Sequence, residues 1–320
     1  MQYKPIIIVG GEPNSVFLEI FFKSLKFRRF KSPIILIASK ELVIAHMKKL
    51  NFKFKLRLLN HKKLNLDKID NKKINLIHIN YNINFFFKKI SYLSKEYIND
   101  SFRIALKIMK SKISNKLING PISKKHFLDK KYLGITEFLA HKTNSKKFAM
   151  LIYNKKLSVS PVTTHLPLKL VSKNINKKLI IEKIQLIYQF YKNFFQKKPK
   201  IAITCLNPHC ETNSKYDEDS KIIKPSISFF SKKGIIINGP FSSDTIFLKQ
   251  NRKKYDVIIG MYHDQVLNPM KTLFEYDAIN ITLGLPFIRI SPDHGPNENM
   301  IGKNLSDPTS LIRAIEFLDR

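Results

Sequence analysis

Short apolar runs alternate with longer amphipathic stretches along this chain of 320 residues. The alternation predicts an α/β fold, because buried strands read as continuous apolar runs and their crossover helices as 3.6-periodic stripes. Strands are predicted at Pro5–Gly10, Pro33–Ala38, Lys53–Leu59, Asn75–Ile79, Lys116–Asn119, Phe148–Tyr153, Lys200–Leu206, Gly234–Ile237, Asp256–Met261 and Ala278–Leu283. Helices are predicted at Val16–Phe27, Lys40–Leu50, Ser91–Ser111, Lys177–Phe195, Asp217–Lys232 and Pro308–Leu318. The last carries a start signal, with Ser306 or Asp307 as cap and Pro308 in the first turn. No Pro/Gly/Ser-rich linker separates two halves, so a division into lobes falls to strands crossing between them.

Composition narrows the class. No apolar run approaches the roughly 18 residues that span a bilayer, so no membrane association is expected. The opening MQYKPIIIVGGEP has one short apolar run and no secretory cleavage site. Cys205 and Cys210 form no CxxC pair, and a reducing cytoplasmic setting is expected. The formal charge of +33 taken alone points to nucleic acid. The lysines, however, are scattered along nearly the whole chain among Asn, Ile and Phe, as in proteins from AT-rich genomes. They read as a solvated coat, so no nucleic-acid partner is expected. Long-range attraction of anionic substrates, weakened by salt, is.

The common nucleotide motifs are absent. No two glycines lie two apart, which excludes GxGxxG, and Gly234 and Gly239 lead into Pro240 rather than Lys, which excludes a P-loop. Polar clusters instead follow the apolar runs: GEP at Gly11–Pro13, NGPIS at Asn119–Ser123, GITEF at Gly134–Phe138, TTHLP at Thr163–Pro167, LNPH at Leu206–His209, NGPFSSDT at Asn238–Thr245, MYHDQ at Met261–Gln265 and NITLGLPFIRISPDHG at Asn280–Gly295. Ligands of α/β sheets collect at the carboxyl ends of strands, where such loops lie. Three clusters carry a histidine: His165, His209 and His263. Histidines from separate strand ends either converge on one divalent ion or serve as hydrogen-bonding residues in their own loops. His46, His61, His78, His126 and His141 lie in Lys-rich surroundings and read as surface residues. Cys210 reads as a small residue packed in a loop, with a thiolate ligand as the alternative. Lys271 and Arg289 flank the Asn280 strand and suit a phosphate or carboxylate. Arg289 sits in the apolar context PFIRIS, where a charge needs a partner.

These clusters, in this order, resemble the 4-hydroxythreonine-4-phosphate dehydrogenase family from Gly11 to Leu311. The resemblance implies a two-domain α/β/α architecture similar to isocitrate and isopropylmalate dehydrogenases, with the active site in the interdomain cleft. Residues 1–120 plus 280–320 would form one lobe. Residues 121–279 would form the other, with the metal ligands and a homodimer interface that shares the active site. The implied reaction is NAD- or NADP-dependent, divalent-metal-assisted oxidation of 4-phosphohydroxy-L-threonine to 2-amino-3-oxo-4-phosphooxybutanoate. That product decarboxylates to 3-amino-2-oxopropyl phosphate, in pyridoxine 5'-phosphate synthesis. The family's metal ligands fall on His165, His209 and His263, for Zn, Mg or Co. Its substrate contacts fall on Thr136, Lys271, Asn280 and Arg289, with Asp244 and Asp264 lining the site. Asp264 or Lys271 would accept the proton. No residue is assigned to the nicotinamide cofactor.

The chain departs from the family pattern at several loops. GHTE reads Gly134-Ile135-Thr136-Glu137, so Ile135 replaces a histidine that contacts substrate. The AGIGPE that follows GEP in the family reads Asn14-Ser15-Val16-Phe17-Leu18-Glu19 here, without its two glycines, and DHGTA becomes Asp293-His294-Gly295-Pro296-Asn297. The glycine-rich stretch after LNPH becomes Cys210-Glu211-Thr212-Asn213. Two further readings accommodate these changes: a dehydrogenase for a related phosphorylated hydroxy acid, and a degenerate homologue without catalysis.

Overall fold

The computed structural model describes residues 3–129, 131–212, 217–231, 233–292 and 294–320, and of Lys68 the backbone alone. Asn213, Lys232 and Asp293, named above, lie outside the described residues. Twelve strands occur among the described residues: β1 (Ile6–Val9), β2 (Ile34–Ala38), β3 (Leu56–Leu58), β4 (Ile74–His78), β5 (Lys116–Asn119), β6 (Ala149–Tyr153), β7 (Ser158–Pro161), β8 (Ile201–Thr204), β9 (Ile237–Phe241), β10 (Val257–Gly260), β11 (Ile279–Leu283) and β12 (Ile288–Pro292). The longer helices are α1 (Phe17–Phe27), α2 (Lys40–Lys49), α3 (Lys95–Lys110), α4 (Ile135–Lys142), α5 (Lys177–Phe195), α6 (Lys224–Ser231), α7 (His263–Phe274) and α8 (Thr309–Leu318). The fold is mixed α/β. No helix among the described residues is long and apolar enough to cross a membrane.

The chain forms two compact units, Met1–Phe138 with Pro286–Arg320, and Leu139–Leu285. Residues 121–138 therefore fall in the first unit and 280–285 in the second, the reverse of the lobes expected from the sequence. The reason for the latter is pairing: β11 runs antiparallel to β6, which ties it to the second unit.

In the first unit the strands run in the order β3-β4-β2-β1-β5-β12, and every pairing is parallel. Parallel neighbours need crossover connections, which α1, α2 and α3 supply. Helix α2 begins where Ser39 caps the Leu42 amide at 3.2 Å, and ends with Lys48 and Lys49 against its negative pole. Strand β1 lies between β2 and β5, so the chain leaves it in opposite directions and opens a crevice at its carboxyl end. There Gly11 has φ +74°, and a Cβ would lie 2.4 Å from the Pro121 carbonyl oxygen. Only glycine fits.

In the second unit the order is β11-β6-β7-β10-β8-β9. The pairs β11/β6 and β6/β7 are antiparallel, while β7, β10, β8 and β9 are mutually parallel. Met150, Ile152, Val159, Ala202, Ile258, Val266 and Met270 pack into its core.

Two strands, β7 and β12, and two of the longer helices, α4 and α7, are absent from the sequence expectation. Strands β7 (SVSP) and β12 (IRISP) are buried although their sequences are polar. In β7 the hydroxyls are satisfied internally, Ser158 by the Tyr191 hydroxyl at 2.8 Å and Ser160 by the Met150 carbonyl at 2.7 Å. Helix α7 contains Pro269, which reads as a breaker. A proline ring removes the bond of its own N–H and crowds the carbonyl four residues back, and the burial of Val266 and Met270 offsets that cost. Strand β9 begins at Ile237, where the predicted strand ended. His46, expected at the surface, is 1% exposed in α2, with its ring 4.7 Å from that of Phe87. Neither of its ring nitrogens finds a hydrogen-bond partner among the described residues.

Candidate active site

The carboxyl ends of β7, β10 and β8, three neighbouring parallel strands, lead into the loops that carry His165, His263 and His209. Parallel pairing places these ends along one edge. The rings of His165 and His263 lie 5.8 Å apart, centroid to centroid. His263 opens α7, and its Nδ1 lies 2.7 Å from Asp264 Oδ1. In a neutral imidazole this bond holds the proton on Nδ1 and leaves Nε2 as the basic nitrogen, the arrangement seen in carboxylate–histidine metal sites.

His209 is exposed and has a left-handed backbone, φ 57°, as does Cys210, φ 62°. Asp244, beyond β9, accepts from the Ser242 hydroxyl at 2.6 Å. Its carboxyl is held below the usual range, first by that bond and further by the nearby His209 imidazole. Among the described residues no three His, Cys, Asp or Glu side chains are gathered closely enough to hold a metal ion. His165 and His263 meet as a pair, and His209 is not drawn into a group with them. The donor set, imidazoles with Asp264 behind one of them, fits a divalent ion that keeps positions for water or substrate oxygen.

Two buried side chains frame these loops. Gln265 Oε1 accepts from the Met261 amide at 2.6 Å and the Thr204 hydroxyl at 2.8 Å, while its Nε2 donates to the Cys205 carbonyl at 2.7 Å. It thereby ties the exit of β10 to the exit of β8. Asp219 accepts from the amides of Leu206 and Asn207, at 2.8 and 3.1 Å. The Cys205 and Cys210 thiols are hydrogen-bonded to each other. Burial pushes the Cys205 thiol up to about 12 and raises that of Cys210. Such thiols are poor sources of thiolate.

Lys271 is exposed in the last turn of α7, its Nζ 5.9 Å from the Tyr276 ring centre. Asp264 is exposed beside His263. Asn280 lies on β11, and its buried Oδ1 finds no hydrogen-bond donor among the described residues. A buried acceptor left open in this way is a place for a ligand donor or a water.

In the first unit, Arg289 on β12 is 0% exposed. Its Nε donates to Asn119 Oδ1 at 2.7 Å and its Nη1 to Thr136 Oγ1 at 3.3 Å. Burial holds the guanidinium down to about 9, opposed by the charge of Glu137. Ile135, half-buried, opens α4 immediately before Thr136. At the exit of β1, Glu12 is buried and accepts from the Ser94 hydroxyl at 2.9 Å. Desolvation is the largest influence on its carboxyl, which is pushed up to about 7.

The altered loop after GEP does not need its missing glycines. Ser15 and Phe17, which stand in their places, are not among the left-handed residues. Ser15 Oγ donates to the Glu12 carbonyl at 2.7 Å, and Asn14 Nδ2 donates to the Tyr81 hydroxyl at 3.3 Å. Pro296 has no N–H to offer, but its carbonyl accepts from the Val16 amide at 3.0 Å.

Residues 29–318 match the family described as pyridoxal phosphate biosynthetic protein PdxA. The chain belongs to that family. It is 44% identical over 217 residues to a 4-hydroxythreonine-4-phosphate dehydrogenase of Sulfurihydrogenibium sp. strain YO3AOP1, covering 67% of each chain. It is 37% identical over 204 residues to a D-threonate 4-phosphate dehydrogenase of Pectobacterium atrosepticum, covering 63% of each. The matched stretch thus spans about two thirds of these relatives' length. The crystal structure of a 4-hydroxythreonine-4-phosphate dehydrogenase from Klebsiella pneumoniae superposes with a TM-score of 0.85 at 27% identity, covering 99% of this chain and 97% of that one. These PdxA relatives are oxidoreductases by name.

Asn119, Gln265, Asp219 and Glu12 were not assigned roles from the sequence. Asn119, Gln265 and Glu12 stand in the polar clusters NGPIS, MYHDQ and GEP, which was the available signal. Asp219 stands in none of them, and its tie to Leu206 appears only in the folded chain.

Proposed function

We propose that this chain oxidises 4-phosphohydroxy-L-threonine to 2-amino-3-oxo-4-phosphooxybutanoate, which decarboxylates to 3-amino-2-oxopropyl phosphate in pyridoxine 5'-phosphate synthesis. The observation that carries the reading is the pairing of His165 with His263 at the ends of adjacent parallel strands, in a chain of the PdxA family. His165, His263 and His209 would hold a divalent cation, Zn, Mg or Co, by imidazole nitrogen. Such an ion, when bound, polarises a hydroxyl or carbonyl oxygen, and NAD or NADP takes the hydride. The chain's own residues do the rest. Asp264 orients His263 through Nδ1. Asp264 or Lys271 accepts the hydroxyl proton. Asn280 Oδ1 would take a donor of the substrate, and Lys271, with Thr136 and the charge of buried Arg289, would attract its anionic groups. Asp244 completes the polar wall beside His209. The family resemblance also carries a homodimer that shares the site.

A second reading is favoured by one feature. Ile135 neither donates a hydrogen bond nor carries charge where the family pattern has histidine, and several relatives are named for D-threonate 4-phosphate. A phosphorylated hydroxy acid is the substrate class under this reading.

The deciding experiment measures NAD and NADP reduction with both phosphorylated substrates, before and after chelation and after adding back Zn, Mg or Co. Metal-dependent turnover of 4-phosphohydroxy-L-threonine supports the first reading, and turnover of D-threonate 4-phosphate alone supports the second. Folded protein that turns over neither, with metal and cofactor present, overturns both. Sedimentation of the same sample tests the dimer.

A further inference from the structure

We propose that Asp219 is the positioning residue of the His209 loop, setting the direction from which His209 reaches a metal ion. The inference rests on His209 as a metal ligand, which the proposed function assumes. Asp219 is 0% exposed. Its Oδ1 accepts from the Leu206 amide at 2.8 Å. Its Oδ2 accepts from the Asn207 amide at 3.1 Å and from Asn207 Nδ2 at 2.9 Å. Asn207 Nδ2 also donates to Glu218 Oε2 at 3.1 Å, so both carboxylates grip the same residue.

A neutral acceptor would satisfy a turn that needed only closing. A buried carboxylate is costly to desolvate and is retained where its charge-assisted bonds hold a geometry. The geometry held here is that of the two residues before Pro208-His209. Proline fixes its own φ, so pinning Leu206 and Asn207 fixes the path into His209. His209 and Cys210 then both take left-handed backbones, φ 57° and 62°, which side-chain-bearing residues adopt only under constraint. The Asp219 clamp is that constraint on the entering side, and the Cys210–Cys205 thiol contact lies on the leaving side. A carboxylate that acts on a metal site through the backbone of its ligand belongs with the outer partners whose loss weakens metal affinity about 10- to 100-fold.

The test is Co²⁺ and Zn²⁺ titration of the full chain by calorimetry, with thermal melts in parallel, for wild type, Asp219→Asn, His209→Ala and the double variant. Asp219→Asn is expected to weaken metal binding about tenfold or more, and the double variant to bind no more weakly than His209→Ala alone. Metal affinity of Asp219→Asn within twofold of wild type overturns the proposal. So does an equal further loss in the His209→Ala background, which would mean that Asp219 acts elsewhere. Unchanged affinity in His209→Ala overturns this proposal together with the metal reading of His209. Weakened His209→Ala beside unchanged Asp219→Asn overturns this one alone. Should Asp219→Asn not fold, Asn207→Ala removes only the side-chain half of the clamp. It is expected to weaken metal binding several-fold, and no change there also overturns the proposal.

Discussion

Asn119 takes the Nε–H of Arg289 at 2.7 Å, and its own Nδ2 donates to the Gly120 carbonyl at 2.9 Å. The second bond sets which way the amide faces, so its oxygen can only point at the guanidinium. Asn119→Ala leaves a fully buried N–H without that acceptor, which costs about 1–3 kcal/mol. Urea unfolding is expected to show that loss. Wild-type stability in Asn119→Ala would mean that the bond contributes nothing.

Ile135→His tests the departure next to Thr136. A hydrogen bond to a charged group contributes about 1.5–3 kcal/mol. If the chain acts on 4-phosphohydroxy-L-threonine, Ile135→His is expected to lower its KM about tenfold or more with little change in kcat. A KM that stays put or rises would show that the site has been rebuilt around isoleucine.

His46 predicts an acid sensitivity. Burial, first, and the Lys49 charge lower its pKa from 6.5 to about 3. Between those values the unfolded chain binds a proton that the folded chain refuses. Stability is therefore complete above about pH 6.5, falls as the pH drops, and levels off near 3, a span of about 4–5 kcal/mol. His46→Phe is expected to flatten this slope in pH-dependent melts. An unaltered slope would place the acid sensitivity in other groups.

Glu12 acts in the opposite sense. Its carboxyl is raised from 4.5 to about 7. The stability it contributes is complete below about pH 4.5 and is lost as the pH rises towards 7, a span of about 3 kcal/mol. Glu12→Gln is expected to gain on wild type as the pH rises through this window. Equal pH profiles for the two proteins would rule the effect out.

Gln265 bonds the exits of two histidine-bearing strands at once. Gln265→Leu leaves the Met261 amide, the Thr204 hydroxyl and the Cys205 carbonyl without it, at about 1–3 kcal/mol for each group that stays buried and unmet. A clear drop in melting temperature and weaker metal binding are expected together. Loss of stability with unchanged metal affinity would limit Gln265 to a structural part.

Much of the framework was legible because buried parallel strands are apolar throughout: IIIV of β1 and IILIA of β2 have no polar position to obscure them. Helix α5 has the ends expected from its periodicity, with Asn176 capping it and Gln196 left-handed beyond it. The strands β7 and β12 were illegible because their Ser and Arg side chains are satisfied by partners far along the chain. The site was readable as a set of loops but not as an arrangement. Nothing in TTHLP, LNPH and MYHDQ says that β10 lies between β7 and β8. His46 shows the reverse failure, since its lysine neighbours hid a position on the inner face of α2.

The strand order β7-β10-β8 also has a bearing on how the site comes into being. The strands bearing His165 and His209 are made first, yet their shared neighbour is the last of the three to leave the ribosome. Until Val257–Gly260 slots in, neither loop has its edge partner, and Gln265 has not arrived to join them. Inserting a central strand closes long loops on both sides, which is slow. The loops of His165 and His209 thus gain their common neighbouring strand only once Val257–Gly260 has been made.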